Sequence, residues 1–218
     1  MVDICETTAA AVAGITDGST VLIGGFGMAG MPVQLIEALI DQGATDLTVV
    51  SNNAGNGDTG LAALLAAKRV RKVICSFPRQ SDSWVFDSLY RAGQIELEVV
   101  PQGNLAERIR AAGAGIGAFF CPTGVGTQLS EGKETREIGG RTYVLEYPLS
   151  GDVALIGAYR ADRMGNLVYR KTARNFGPVM ATAATTTIVQ VKEVVETGVL
   201  DPETVVTPSL YVDKVVAV

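Results

Sequence analysis

The sequence predicts an α/β protein built on an open, mostly parallel sheet with helices on both faces. Three observations predict it. Short apolar, β-branched runs alternate with stretches of helical period of about ten residues, the pattern of βαβ units. The run Thr20–Gly24 is continuously apolar rather than alternating, as a strand covered on both faces is. Glycine, proline or asparagine marks most junctions between the runs and the helical stretches.

In order, Glu6 to Ala13 reads as a first helix. Thr20 to Gly24 is a buried strand, followed by a glycine-rich loop from Gly25 to Met31. Pro32 is expected at the first helical position, where its missing N–H costs nothing. That helix carries Leu35, Ile36, Leu39 and Ile40 and stops at Gly43. Leu47–Ser51, Lys72–Ser76 and Ile95–Val100 read as further strands, with loops at 52–60 and 77–81. Leu61–Ala67 and Asp82–Ala92 read as helices, with Trp84 and Tyr90 in the core. Pro101–Gly103 reads as a tight loop before a helix capped by Asn104, with Glu107 completing a capping box.

The second part is richer in glycine. Thr135–Ile138 and Arg141–Leu145 flank Gly139-Gly140, a two-residue hairpin signal. Val153–Tyr159 and Leu167–Arg170 read as strands around a turn at Met164-Gly165-Asn166. Pro178–Ala184 reads as a helix and Thr186–Val191 as a strand. The apolar end, Val215 to Val218, is expected to dock on a core or a partner. No linker or repeat appears, so residues 1–218 are taken as a single domain.

Composition excludes several classes of function. The chain has 218 residues, 47% of them hydrophobic and 19% charged. That balance supports a core and argues against disorder. Histidine is absent, so imidazole bases, Ser-His-Asp and Cys-His pairs and histidine metal sites are impossible within this chain. The net charge of −5 argues against nucleic acid as a partner. Lys68, Arg69, Arg71 and Lys72 cluster, but read as a solvated helix end. Cys5, Cys75 and Cys121 are widely spaced with no CxxC, as reduced cysteines of a cytoplasmic protein would be. Asp3 and Glu6 stand where a signal peptide would carry basic residues, so none is expected. The uncharged runs Gly18–Ile36 and Ala111–Ser130 are broken by glycines and proline. They read as strand-loop-helix rather than membrane spans.

Gly25-Phe26-Gly27-Met28-Ala29-Gly30 matches GxGxxG between a strand and a helix, the context of a dinucleotide fingerprint. Gly55-Asn56-Gly57-Asp58-Thr59-Gly60 matches it too. Asn52-Asn53 stands where a ribose-binding acid is expected. Nicotinamide or flavin binding is therefore poorly supported. The N–H groups of Gly25, Phe26 and Gly27 are still placed to face an anionic oxygen; the alternative is a tight turn with no ligand.

One resemblance is specific. Asp17-Gly18 precedes the apolar strand, then come Gly24-Gly25-Phe26 and Gly30-Met31-Pro32. Ser51-Asn52-Asn53-Ala54-Gly55, Pro101-Gln102-Gly103, Pro122-Thr123-Gly124-Val125-Gly126-Thr127 and Ala173-Arg174-Asn175-Phe176 follow in order. Together they resemble the A subunits of the coenzyme A transferases that act on 3-oxo acids, over almost the whole chain and most closely those acting on 3-oxoadipate.

The resemblance implies a Rossmann-like fold and transfer of CoA from succinyl-CoA to 3-oxoadipate, with acetoacetate as an alternative acid. In the family a glutamate carboxylate attacks the acyl-CoA thioester, a glutamyl-CoA thioester forms, and the second acid collects the coenzyme. Such covalent catalysis needs no histidine. The family's nucleophile lies in Ser-Glu-Asn-Gly on a separate B chain. Ser130-Glu131-Gly132 lacks the asparagine, so Glu131 is expected to be a surface residue and no catalytic nucleophile is expected here. The resemblance thus implies a partner, the B (beta) subunit of the transferase, in an α2β2 assembly. It implies a CoA thioester as substrate, and neither a permanent cofactor nor a metal. Nucleic acid and membrane are not expected partners. By the same resemblance Gln102 and Asn53 lie near the reacting carboxyl and Phe26 walls the pocket. Asn53 is alternatively an Asx-turn former. Arg79, in the loop Ser76–Ser81, is the expected reader of a distal carboxylate, since arginine pairs bidentately with one. Two readings from other classes are a sugar-phosphate isomerase, which would need converging Lys and Arg on a phosphate, and a nucleotide-binding module.

Overall fold

The computed structural model describes residues 2–218. The chain begins with β1 (Asp3–Cys5), α1 (Thr8–Val12), β2 (Thr20–Ile23), α2 (Val33–Gln42), β3 (Leu47–Val50), α3 (Leu61–Ala66) and β4 (Val70–Cys75). Next come α4 (Trp84–Arg91), β5 (Glu96–Val99), α5 (Gln102–Gly113), β6 (Phe119–Cys121), β7 (Thr135–Ile138), β8 (Arg141–Glu146) and β9 (Gly151–Gly157). It ends with β10 (Arg160–Asp162), β11 (Leu167–Val168), α6 (Gly177–Thr182), β12 (Ala184–Val191), β13 (Glu193–Val195) and β14 (Lys214–Ala217).

Eight strands form the main sheet in the order β1-β14-β12-β9-β2-β3-β4-β5. Every neighbouring pair in it is parallel. Successive strand residues point to opposite faces. Accordingly Val21 and Ile23 join one core with Leu35, Leu39, Leu61, Leu64 and Phe86. Leu22 joins the other core, with Leu105, Ile109 and Met180. In β9, Val153 and Leu155 face the first core while Ala154 and Ile156 face the second. Two-sided burial is why these strands read as continuous apolar runs. The chain runs outward from β2 to β5, crosses faces through α5, and later returns to lay β9 on the free edge of β2. The gap between β2 and β9 is therefore the topological switch point, outside which open α/β sheets bind ligands.

Several expectations hold. The hairpin pairs Ile138 with Arg141, and Gly139 and Gly140 both take positive φ, +61° and +75°, as a type I′ turn requires. Gly43 ends α2 with φ +100° and donates its N–H to Leu39 O. The apolar C-terminus is strand β14 itself, with Val215 and Val216 buried between β1 and β12. Pro32, expected at the first helical position, instead stands one residue before α2, as its N-cap.

Other expectations are corrected. Pro101–Gly103 is no loop, because α5 starts at Gln102 with Pro101 as its N-cap. Asn104 lies inside the first turn and is buried, so it does not cap. Its Nδ2 donates to Glu146 Oε1 at 3.1 Å and its Oδ1 accepts from the Cys121 thiol at 3.2 Å. Glu107 pairs with Arg110 instead. The turn at Met164–Asn166 joins β10 to β11, not β9 to β11, because β9 is committed to the main sheet. Asp162 Oδ1 closes that turn by accepting from the Met164 and Asn166 N–H groups. Trp84 is 58% and Tyr90 47% exposed, since Val85 and Phe86 are the buried residues of α4. The basic cluster is not a free helix end. Arg69 donates to Ile40 O and Gly43 O at the end of α2, Arg71 pairs with Asp46 and Glu96, and Lys72 with Glu98.

Glu98 bridges Lys72 at 2.6 Å and Arg108 at 3.0 Å, fastening α5 to β4 and β5. Burial alone would raise its carboxyl, but the hydrogen bonds and charges of Lys72 and Arg108 hold it below the usual value. A group with a depressed folded value stabilises fully above its unfolded pKa and loses that contribution as pH falls through the folded one. The urea midpoint is expected to fall below about pH 4.3, the ordinary glutamate value, and to fall less in Glu98→Gln. Equal acid sensitivity in both proteins would contradict this role.

Candidate functional site

All eight parallel strands end at one edge of the sheet. The loops after β2, β3, β4 and β5 therefore stand side by side, and they bring Gly25, Phe26, Gly27, Asn53, Arg79 and Gln102 to that edge.

The β2 loop is held by Asn175. Its Oδ1 accepts from the Gly25 N–H at 3.1 Å and the Phe176 N–H at 2.7 Å, and its Nδ2 donates to Ala29 O and Thr172 O, both at 2.9 Å. The Phe26 N–H donates to Ala29 O at 3.0 Å. Of the three N–H groups expected to face an anion, two are thus used within the chain. Among the described residues none accepts from the Gly27 N–H. The glycines serve close packing. Gly30 has φ +73°, and a Cβ there would lie 2.3 Å from Ala173 O. The 173–175 turn thus packs directly on the β2 loop. Phe26 is 53% exposed.

The β3 loop carries two asparagines that face opposite ways. Asn53 is buried; its Oδ1 accepts from the Gly55 N–H at 2.8 Å, the Asx turn. Its Nδ2 is sealed from solvent and has no partner among the described residues. Asn52 faces α5 instead. Its Oδ1 accepts from Gln102 Nε2 at 2.7 Å and from the Ser76 hydroxyl at 2.9 Å. Its carbonyl accepts from the Ser76 and Phe77 N–H groups. Gln102 is exposed at the start of α5. The structure therefore joins Gln102 to Asn52 rather than to Asn53. The sequence signal was present in the Asn-Asn pair, but which of the two turns toward α5 depends on the strand's alternation.

Arg79 is exposed and its Nε donates to Asp87 Oδ1 at 2.7 Å. Glu131 is exposed at the end of a short 3₁₀ turn, Gln128–Ser130. Asp58 and Asp82, the acids on the β3 and β4 loops, are also exposed. Burial pushes the Cys75 thiol up to about 12, against a smaller opposing effect of a backbone hydrogen bond from Phe77. It is a packing residue rather than a nucleophile. Among the described residues no group of three His, Cys, Asp or Glu is placed to hold a metal ion. No helix among them is long and apolar enough to cross a membrane.

What this edge offers is a set of amide and N–H donors, while the acids on its β3 and β4 loops, Asp58 and Asp82, are exposed. Donors of this kind can polarise a carbonyl. Known proteins are similar to this chain along nearly all of its length. The family described as Coenzyme A transferase matches residues 5–218. The A chain of the 3-oxoadipate CoA-transferase of Pseudomonas putida is 71% identical over 213 residues, 98% of this chain and 92% of that one. The protein of the same name from Acinetobacter baylyi is 63% identical over 212 residues, 97% of this chain and 93% of that one. Among solved structures, an acyl-CoA transferase (YdiF) from Escherichia coli O157:H7 superposes with a TM-score of 0.88 at 23% identity. That match shows a shared fold, and it covers all of this chain but only 47% of the other, so this chain spans about half its length. With the family accounting for all but the first residues and both relatives aligned nearly end to end, the chain belongs to the coenzyme A transferase family.

Proposed function

We propose that the chain is one half, the A half, of a two-subunit transferase that moves coenzyme A from succinyl-CoA to 3-oxoadipate. The observation that carries this reading is the 71% and 63% identity, over at least 97% of the chain, to two proteins named as the A chain of 3-oxoadipate CoA-transferase. The absence of histidine is compatible with it, because carboxylate–thioester exchange uses no imidazole.

In this reading the attacking glutamate belongs to the partner subunit. It displaces the acid from the acyl-CoA to form a glutamyl-CoA thioester, and the incoming acid carboxylate then collects the coenzyme. Coenzyme A is a substrate, and no cofactor is held permanently. The two kinds of chain assemble as α2β2 in the cytoplasm. This chain contributes the donors that meet negative charge on the thioester oxygen. They are the second N–H of Gln102 Nε2 and the Gly27 N–H, with buried Asn52 orienting Gln102. Gly25 holds the loop that carries Gly27, and Phe26 walls the acyl group. Asn53 keeps the β3 loop in shape through its Asx turn, and its sealed Nδ2 reaches a substrate only if that loop opens.

The test is the reconstituted two-subunit complex with succinyl-CoA as donor. The specificity constant for 3-oxoadipate is expected to exceed that for acetoacetate by roughly tenfold or more, as a site built for an extra polar group discriminates strongly. A preference for acetoacetate would overturn the assignment of the acid.

A further inference from the structure

We infer that Lys171 and Arg174, set beside Phe26, read the distal carboxylate of the dicarboxylic acid that this enzyme transfers. The inference rests on the reading above that the acids are dicarboxylates. It moves that role from Arg79 to a different loop.

Phe26, Ala29, Lys171, Thr172, Arg174 and Asn175 line an open concavity of about 640 Å³ beside the β2 loop. The two cations there are without counter-ions: among the described residues no carboxylate lies within ion-pair distance of either. Both are exposed. Arg79, Arg160 and Arg163 each hold a carboxylate at 2.7–2.8 Å, whereas Lys171 and Arg174 hold none and keep their charge free to meet an anion in the concavity.

The concavity is also built. Lys171 to Arg174 form a 3₁₀ turn, and Asn175 fastens that turn to the β2 loop through Gly25 and Ala29. Lys171 has φ +52°, a backbone that fixes the direction of its side chain at some cost. Phe26 and the methyl of Ala29 supply an apolar wall beside the charged end. That combination suits a carboxylate on a short methylene chain: the methylenes lie on the ring, arginine donates to the carboxylate bidentately, and lysine and the Thr172 hydroxyl supply further donors. The β2 loop beside this concavity leaves a strand that pairs with β3, so the concavity and the Asn52–Gln102 pair lie at the same edge of the sheet. The Arg79 guanidinium, by contrast, is already held by Asp87.

The same chemistry would also take a phosphate of coenzyme A, and the test separates the two sources. Reconstituted complexes carrying Lys171→Asn, which tolerates a left-handed backbone, Arg174→Met and Arg174→Lys are assayed with 3-oxoadipate and acetoacetate as acceptors and with succinyl-CoA and acetoacetyl-CoA as donors. Co-elution with the partner subunit checks that each variant folds. KM for 3-oxoadipate and for succinyl-CoA is expected to rise roughly 10- to 100-fold in Lys171→Asn and Arg174→Met, the loss of a hydrogen-bonded charge. Arg174→Lys recovers part of it. The monocarboxylic pair should change little, and kcat less than KM. An equal rise with acetoacetyl-CoA would overturn the inference in favour of coenzyme phosphates. Unchanged KM values, or a selective loss confined to Arg79→Ala, would overturn it outright. If the unsubstituted complex ignores 3-oxoadipate but the variants still lose succinyl-CoA selectively, the carboxylate site stands and only the acceptor assignment fails.

Discussion

Replacing Asn175 by alanine is expected to lower the stability of the chain by about 2–4 kcal/mol, the sum expected for several half-buried hydrogen bonds, and to remove most transfer activity in the two-subunit complex. The side chain makes four hydrogen bonds, two accepted and two donated, and they tie the 172–176 turn to the β2 loop. Alanine leaves the Gly25 N–H and the Ala29 and Thr172 carbonyls without these partners. Because Gly30 packs directly on Ala173, the two loops cannot separate without disturbing each other. Asn175→Asp is the informative second variant. It keeps the acceptor but sets carboxylate oxygens against two carbonyls, so it should be nearly as damaging as alanine. Urea unfolding of the isolated chain reads the stability, and wild-type behaviour of Asn175→Asp would show that the donated bonds do not hold the loops.

Gln102→Ala is expected to reduce kcat by about two orders of magnitude, the typical effect of removing one preorganised donor to an oxyanion, while leaving the melting temperature nearly unchanged. The side chain is exposed in this chain and contributes one hydrogen bond, to Asn52 Oδ1, so its loss weakens folding little. Gln102→Glu should be worse for kcat, because a carboxylate repels both Asn52 Oδ1 and the charge that develops on the thioester oxygen. Steady-state kinetics of the complex check this. An unchanged kcat in Gln102→Ala would remove Gln102 from the site.

The fold was legible where local pattern and long-range burial agree. Strands covered on both faces are apolar in their buried part, so β2, β3 and β9 announced themselves, and the Gly139-Gly140 turn needed no tertiary context. The strands β1, β6, β10 and β13 were missed, and β14 was read only as an apolar terminus. The first four have three residues each, and β1 exists because it pairs with β14 at the opposite end of the chain. Asn104 followed a valid local rule and still failed, because Asn-x-x-Glu also fits a residue turned inward toward Glu146 and Cys121. The site divides in the same way. Phe26 and Gln102 could be placed at the carboxyl edge from strand and loop order alone. That Asn52 rather than Asn53 meets Gln102, and that Asn175 grips a loop 150 residues earlier in the chain, are settled by contacts that no local window contains.

We propose that this chain shapes and polarises a site whose reacting carboxylate belongs to its partner. The most direct test is to incubate the two-subunit complex with succinyl-CoA, quench it, and locate the covalently bound coenzyme by mass spectrometry of the separated chains. The expected result is a glutamyl-CoA adduct confined to the partner chain, and none when this chain is treated by itself. An adduct on Glu131 or any other residue of this chain would contradict the claim.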